Sequence, residues 1–228
     1  MAEWRLLKGW SSEELRQRLD RFSSAERNFE AEEAMMTGEY GWHHYHSEAV
    51  LAREKDTSVF FERATLAVAN YRFSAPRIVT AHFDPASEFL GRTILLEIQV
   101  LGLHYLCPAR VSRVRDEPGA FGFRYDTLAG HIERGMEWFL LTKDESGNIR
   151  FKIEARWRAG EFPNWWSRIG FALLSGFYQR RWHRLAHRRL SLLARFGSPA
   201  PPPRDAEGLA HQGVDVTFTY HTKRKWFQ

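Results

Sequence analysis

The sequence predicts an α+β protein in which a curved antiparallel sheet of about seven strands grips a long C-terminal helix. Three observations predict it. Over residues 76–158, runs rich in β-branched and aromatic side chains follow one another across short turns, as in an antiparallel meander. Over residues 163–196 the pattern changes to a helical period, closed by Gly197 and a cluster of prolines. A sheet and a helix that are each apolar on one side bury those sides most readily against one another.

Ser11 and Glu14 have capping-box spacing ahead of Leu15, Leu19 and Phe22, so a short helix opens at Ser11. Residues 23–40 show no clear period and read as a connection. A first strand spans 41–51, with Trp42, Tyr45, Val50 and three histidines. A second helix starts near Asp56 or Thr57, both suitable N-caps, and Phe60, Ala64, Ala67, Val68 and Tyr71 form its buried stripe. Six strands follow at 78–83, 93–101, 104–115, 120–127, 132–142 and 149–158. Asp84-Pro85, Gly102, Pro118-Gly119, Ala129-Gly130 and the hairpin loop 144–148 separate them.

Pro163 suits the first turn of the long helix. Gly170 and Gly176 weaken its beginning and are the place for a break. Phe177 or Tyr178, Trp182, Leu185, Ala186, Leu190 and Leu193 make its apolar stripe. Arg180, Arg181, Arg184, Arg188, Arg189 and Arg195 fill the remaining faces. Residues 1–197 thus read as one domain and 198–213 as a Pro-rich linker. Residues 214–228 are a strand-like basic tail, in which Val214, Val216, Phe218 and Tyr220 alternate with polar residues. Stretch 214–221 suits a sheet edge in the same molecule or, by self-association, in a neighbour.

At 228 residues, with 43% hydrophobic and 14% aromatic side chains, the chain supports a real core. Nine Trp and seventeen Phe also suit an apolar cavity. Cys107 is alone and forms no intramolecular disulfide, and neither a signal peptide nor a membrane-spanning run is evident, so a cytoplasmic location is expected. The net charge of +5 is uneven: residues 1–160 carry 22 basic against 24 acidic side chains, and residues 161–228 carry 11 against 4. P-loop, dinucleotide, nucleophile-elbow, zinc-protease and paired-cysteine motifs are missing, so the sequence calls for no cofactor. The Lys223-Arg224-Lys225-Trp226 end is too short to specify nucleic-acid binding.

Residues 121–139, FGFRYDTLAGHIERGMEWF, carry a more specific signal. Gly122, Phe123, Tyr125, Thr127, Leu128, Gly130, His131, Glu133, Gly135, Glu137 and Phe139 resemble the signature of an uncharacterised domain family of bacteria and plants. Ile132 stands where that family usually has proline, and Met136 where a second acid is common, which weakens any role for paired acids at 136–137. The order of elements resembles the helix-grip fold of the START-like and birch-pollen-allergen-like superfamily. That resemblance implies an apolar cavity between sheet and helix; the family resemblance implies no assigned reaction.

Strand parity places His131, Glu133, Gly135 and Glu137 on one face. A histidine beside two carboxylates suits a general base, giving a hydrolase- or lyase-like alternative through His131 with Glu133 or Glu137. The same residues, with glycines at 130 and 135, also suit a demanding turn. His44 and His46 share a face at chelate spacing, but two imidazoles do not make a metal site, and no metal is expected. The expected partner is a small apolar or aromatic ligand in a pocket drawn from Phe123, Tyr125, Trp138, Trp157, Phe177 and Trp182. Docking to a membrane surface or partner through the basic helix is a further alternative, set against a helix that is simply solvated on its outer face.

Overall fold

The structure is a computed structural model that describes residues 2–35, 41–53, 58–197 and 214–220. In chain order it contains β1 (Glu3–Leu6), α1 (Ser12–Phe22), α2 (Ala31–Met35), β2 (His43–Ala52), α3 (Ser58–Ala69), β3 (Val79–His82), β4 (Thr93–Val100), β5 (Leu103–Glu117), β6 (Ala120–Thr127), β7 (Glu133–Lys143), β8 (Ile149–Ala159), α4 (Trp165–Phe196) and β9 (Thr217–Tyr220). All nine strands join one antiparallel sheet, ordered β3-β4-β5-β6-β7-β8-β2-β9, with β1 against β5. The N-caps expected at Asp56 or Thr57, the linker 198–213 and the basic end 221–228 lie outside the described residues.

Short turns dictate the meander from β3 to β8. Leu101 and Gly102 form a two-residue connection with φ of 51° and 79°, matching the twist of a tight hairpin. Asp144 closes the β7–β8 loop, its Oδ1 accepting the backbone N–H groups of Ser146 (3.0 Å) and Asn148 (2.9 Å). β5 is long enough to need two neighbours on one edge: β1 along Leu103–Leu106 and β6 from Ala109 onward. Pro108, with no N–H to give, sits between them.

β1 was not expected. Its four residues alternate in burial only weakly and are too few for a period to register. With β1 and β9 the sheet has nine strands rather than about seven. The 23–40 connection contains α2, and α4 runs through Gly170 and Gly176 without a break. Pro163 lies just ahead of α4 rather than in its first turn; Asn164 caps the helix, accepting the Ser167 N–H at 2.8 Å, and left-handed Gly197 ends it, donating its N–H to the Leu193 carbonyl. At α1 both halves of the Ser11–Glu14 capping box are present.

The main core lies between the sheet, α3 and the second half of α4. Ala64, Ala67 and Val68 let α3 approach closely. Phe73, Phe123, Phe139 and Phe151 interlock beneath Trp182, with ring centroids 4.8 Å apart for Phe73–Phe139 and 5.1 Å for Phe123–Phe139. Separate apolar clusters join Trp10 and Leu15 to Leu95 and Leu106, and Phe29, Ala34 and Met136 to Trp42. The two halves of α4 differ sharply. From Trp182 to Ala194 most residues are buried, whereas before Trp182 only Ser167 is. That under-packed half leaves a space against the sheet.

Candidate functional site

The space is a cavity of about 240 Å³. Ile98, Leu103, Trp157, Phe171, Leu174 and Tyr178 give it apolar walls, and Tyr45, Tyr71, Tyr125, Glu133, Glu137 and Gln179 bring polar groups to it. Leu101 and Trp166, both exposed, mark where it meets the surface.

The polar groups arise from β7, whose alternation points Glu133, Gly135 and Glu137 the same way. A Cβ on Gly135 would stand 2.1 Å from the Arg156 carbonyl oxygen of β8, so only glycine lets β7 and β8 pair this closely. Tyr125 donates a 2.5 Å hydrogen bond to Glu137 Oε2. Burial pushes the Glu137 carboxyl up to about 8, beyond what the Tyr125 bond lowers, and Glu133 adds to the rise. Burial likewise pushes Glu133 up to about 7, although Gln179 Nε2 donates to its Oε1 at 3.2 Å. Glu133 keeps some accessible surface while lining the cavity. At neutral pH Glu137 is therefore mostly a neutral acid.

His131 is 2% exposed, and burial drives its imidazole down to about 3. Its Nδ1 accepts the Glu133 backbone N–H at 2.9 Å, so the neutral ring carries its proton on Nε2. That N–H has no hydrogen-bond partner among the described residues, although the ring lines the cavity. An unmatched buried donor costs about 1–3 kcal/mol.

A second polar cluster sits beside the cavity. Ser47 Oγ bonds His183 Nδ1 (2.6 Å) and His187 Nε2 (2.8 Å), and the Tyr45 hydroxyl bonds His183 Nε2 (2.9 Å). Burial lowers both imidazoles, His187 to about 3. With His183 and Glu137 both neutral near pH 7, their 3.8 Å approach is a polar contact rather than an ion pair. Ser47 is fully buried, and it does not line the cavity.

Among the residues the sequence singled out, His131, Glu133, Glu137, Tyr125, Trp157 and Trp182 come together around the cavity. Three others fall elsewhere. Phe123 is sealed in the aromatic core, and Phe177 is 56% exposed on α4. Trp138 neighbours Glu137 on a strand, so it occupies the opposite face. His44 pairs with Glu154 at 2.8 Å, and His104 and His82 share Glu97. Among the described residues no group of three His, Cys, Asp or Glu side chains is arranged so that it could hold a metal ion. Tyr45, Ser47, Tyr71, Gln179, His183 and His187 were not anticipated. The signal existed: His183 and His187 are four apart and flank Trp182 and Ala186, so they share the buried face.

Residues 27–189 match the sequence profile of the family described as "Domain of unknown function (DUF1990)", which covers more than half of the chain. The chain belongs to this family. A curated relative from Deinococcus radiodurans, named a UPF0548 protein, is 45% identical over 109 residues, covering 43% of this chain and 55% of the relative. The chain thus spans about half the length of that curated relative. Among solved structures, Ara h 8.0201 aligns with a TM-score of 0.42 at 10% identity, over 68% of this chain and 98% of its own. A Thalictrum norcoclaurine synthase point mutant, in complex with a transition-state analogue, aligns with a TM-score of 0.45 at 10% identity, over 67% and 94%. No helix among the described residues of this DUF1990 member is long and apolar enough to cross a membrane.

Proposed function

We propose that the protein binds a small apolar or aromatic molecule with one hydrogen-bonding end, held between the sheet and the first half of α4. The observation that carries this reading is a cavity with apolar walls and a few polar groups, among which the Glu137 carboxyl holds its proton. Desolvating an apolar ring favours entry, and the unmatched Nε2–H of His131 favours a ligand oxygen or nitrogen that accepts it. On this reading Tyr125, Trp157 and Trp182 contact the apolar body, and Glu133 or Glu137 the polar end. The lone buried Cys107 calls for no oxidising compartment, and the cytoplasm is the location this reading takes.

Gly170 provides the test, because it lines the cavity and a Cβ there meets nothing within 4 Å. Native mass spectrometry of the wild-type protein should show a retained small molecule, and the neutral probe N-phenyl-1-naphthylamine should fluoresce on binding. Gly170→Phe, filling the space without breaking the helix, should abolish both. Absence of a retained species, with probe binding indifferent to Gly170→Phe, would sink the proposal.

A second reading is hydrolase- or lyase-like chemistry. It is favoured by the 2.5 Å Tyr125–Glu137 bond and by a carboxyl that holds its proton near neutral pH, as a general acid must. In that reading Glu137 or Glu133 supplies the proton and His131, lowered to about 3, orients the polar end of the substrate.

A further inference from the structure

The mouth of the cavity is bordered by large apolar side chains that point into solvent. On the helix side, Trp165 (74% exposed), Ile169, Leu173 (76%) and Phe177 recur every four residues, a slowly turning outward stripe. Each stands one residue before Trp166, Gly170, Leu174 or Tyr178, which line the cavity, so inner and outer stripes run side by side. On the sheet side stand Leu101 and Leu7, among the most exposed apolar residues described. Both adopt left-handed backbone, φ 51° and 62°, where a leucine costs more than glycine or asparagine would. The Leu7 N–H donates to the Gly102 carbonyl (2.7 Å), holding the two together. Trp4 and Trp166 meet edge-to-face at 5.2 Å across the rim.

Charge indicates what covers this rim. α4 contains seven arginines and no acidic residue, so its own side chains carry positive charge only. Arg168 lies among the apolar stripe, and Arg180, Arg181 and Arg184 follow it. Exposed tryptophan and leucine backed by arginine is the composition that settles at the headgroup level of an anionic bilayer.

We propose that the cavity mouth docks onto anionic membrane surface, with Trp165, Ile169, Leu173 and Leu101 entering the interface and Arg168, Arg180, Arg181 and Arg184 meeting the headgroups. The inference rests on the cavity reading for its purpose, exchange of an apolar ligand with the bilayer, but not for the docking itself. Sucrose-loaded vesicles of phosphatidylcholine, with or without phosphatidylglycerol, test it by co-sedimentation. Wild-type protein should pellet with phosphatidylglycerol-containing vesicles, less so at high salt, and brominated lipid should quench its tryptophan fluorescence. Ile169→Ser with Leu173→Ser, both at exposed positions, should weaken partition by at least about tenfold with unchanged circular dichroism. Arg180→Glu with Arg181→Glu should remove the preference for phosphatidylglycerol. Equal partition by the serine variant overturns the proposal. So does concentration-dependent dimerisation, abolished by those serines, without vesicle binding. Gly170→Phe separates the two readings: docking survives in that variant even if no ligand enters the cavity.

Discussion

Glu137 keeps its proton because burial outweighs the hydrogen bond that Tyr125 donates to it. Folding raises this carboxyl from about 4.5 to about 8, so the native state keeps a proton the unfolded chain gives up. Stability from this group is full below pH 4.5 and declines as pH rises towards 8. At about 1.4 kcal/mol per unit, Glu137 removes up to about 3 kcal/mol between pH 5 and 8, and Glu133 acts in the same direction. His131 and His187, lowered from 6.5 to about 3, act oppositely: their stability is present above 6.5 and lost on acidification towards 3. Between pH 5 and 8 the carboxyls and the imidazoles, His183 included, oppose one another, so the test is a difference: Glu137→Gln should gain stability relative to the wild type as pH rises from 5 to 8, by about 3 kcal/mol in urea unfolding. An unchanged slope in the variant would place the proton elsewhere. The shared direction of Glu133 and Glu137 was legible from strand alternation alone. The same alternation sets Trp138 apart from Glu137. The depth of His183 was less legible, because arginines on both sides of it make that stretch read as solvated.

At the scale of elements, α4 behaves as two helices sharing one axis. Trp182 ties the second half to the core, its Nε1 donating to Ser74 Oγ at 2.9 Å, and Ala186, Leu190 and Leu193 follow beneath. The first half is held by the Asn164 cap and by Ser167, whose hydroxyl bonds Tyr105 at 2.7 Å. Amides of 168–179 should exchange with deuterium well before those of 183–194, by at least about tenfold, because few buried contacts oppose local opening. Uniform protection along α4 would contradict this. A filled cavity should slow exchange in the first half alone. Sequence periodicity located α4 to within two residues at either end but misjudged its glycines. Gly170 lines the cavity, where a missing side chain leaves room rather than a break. Most strands were legible because turn residues bracket them; β1 depends on its pairing with β5, which no local pattern reveals.

For the molecule as a whole, β9 matters more than its four residues suggest. It pairs with Tyr45–Glu48 of β2, covering an edge that would otherwise offer free backbone groups, and Phe218 lies 6.2 Å from the His183 ring. A chain ending at Gly197 should self-associate at micromolar concentration in sedimentation velocity, while the full chain should not. Equal behaviour of the two would assign the edge no protective role. Cys107 offers a different kind of consequence. Fully buried, with burial raising its thiol to about 12, it is beyond the reach of maleimides at neutral pH. The native chain is thus a ready background for single-site labelling. One cysteine introduced at Leu173 would be the sole reactive handle, and a fluorophore there would report directly on what approaches the rim.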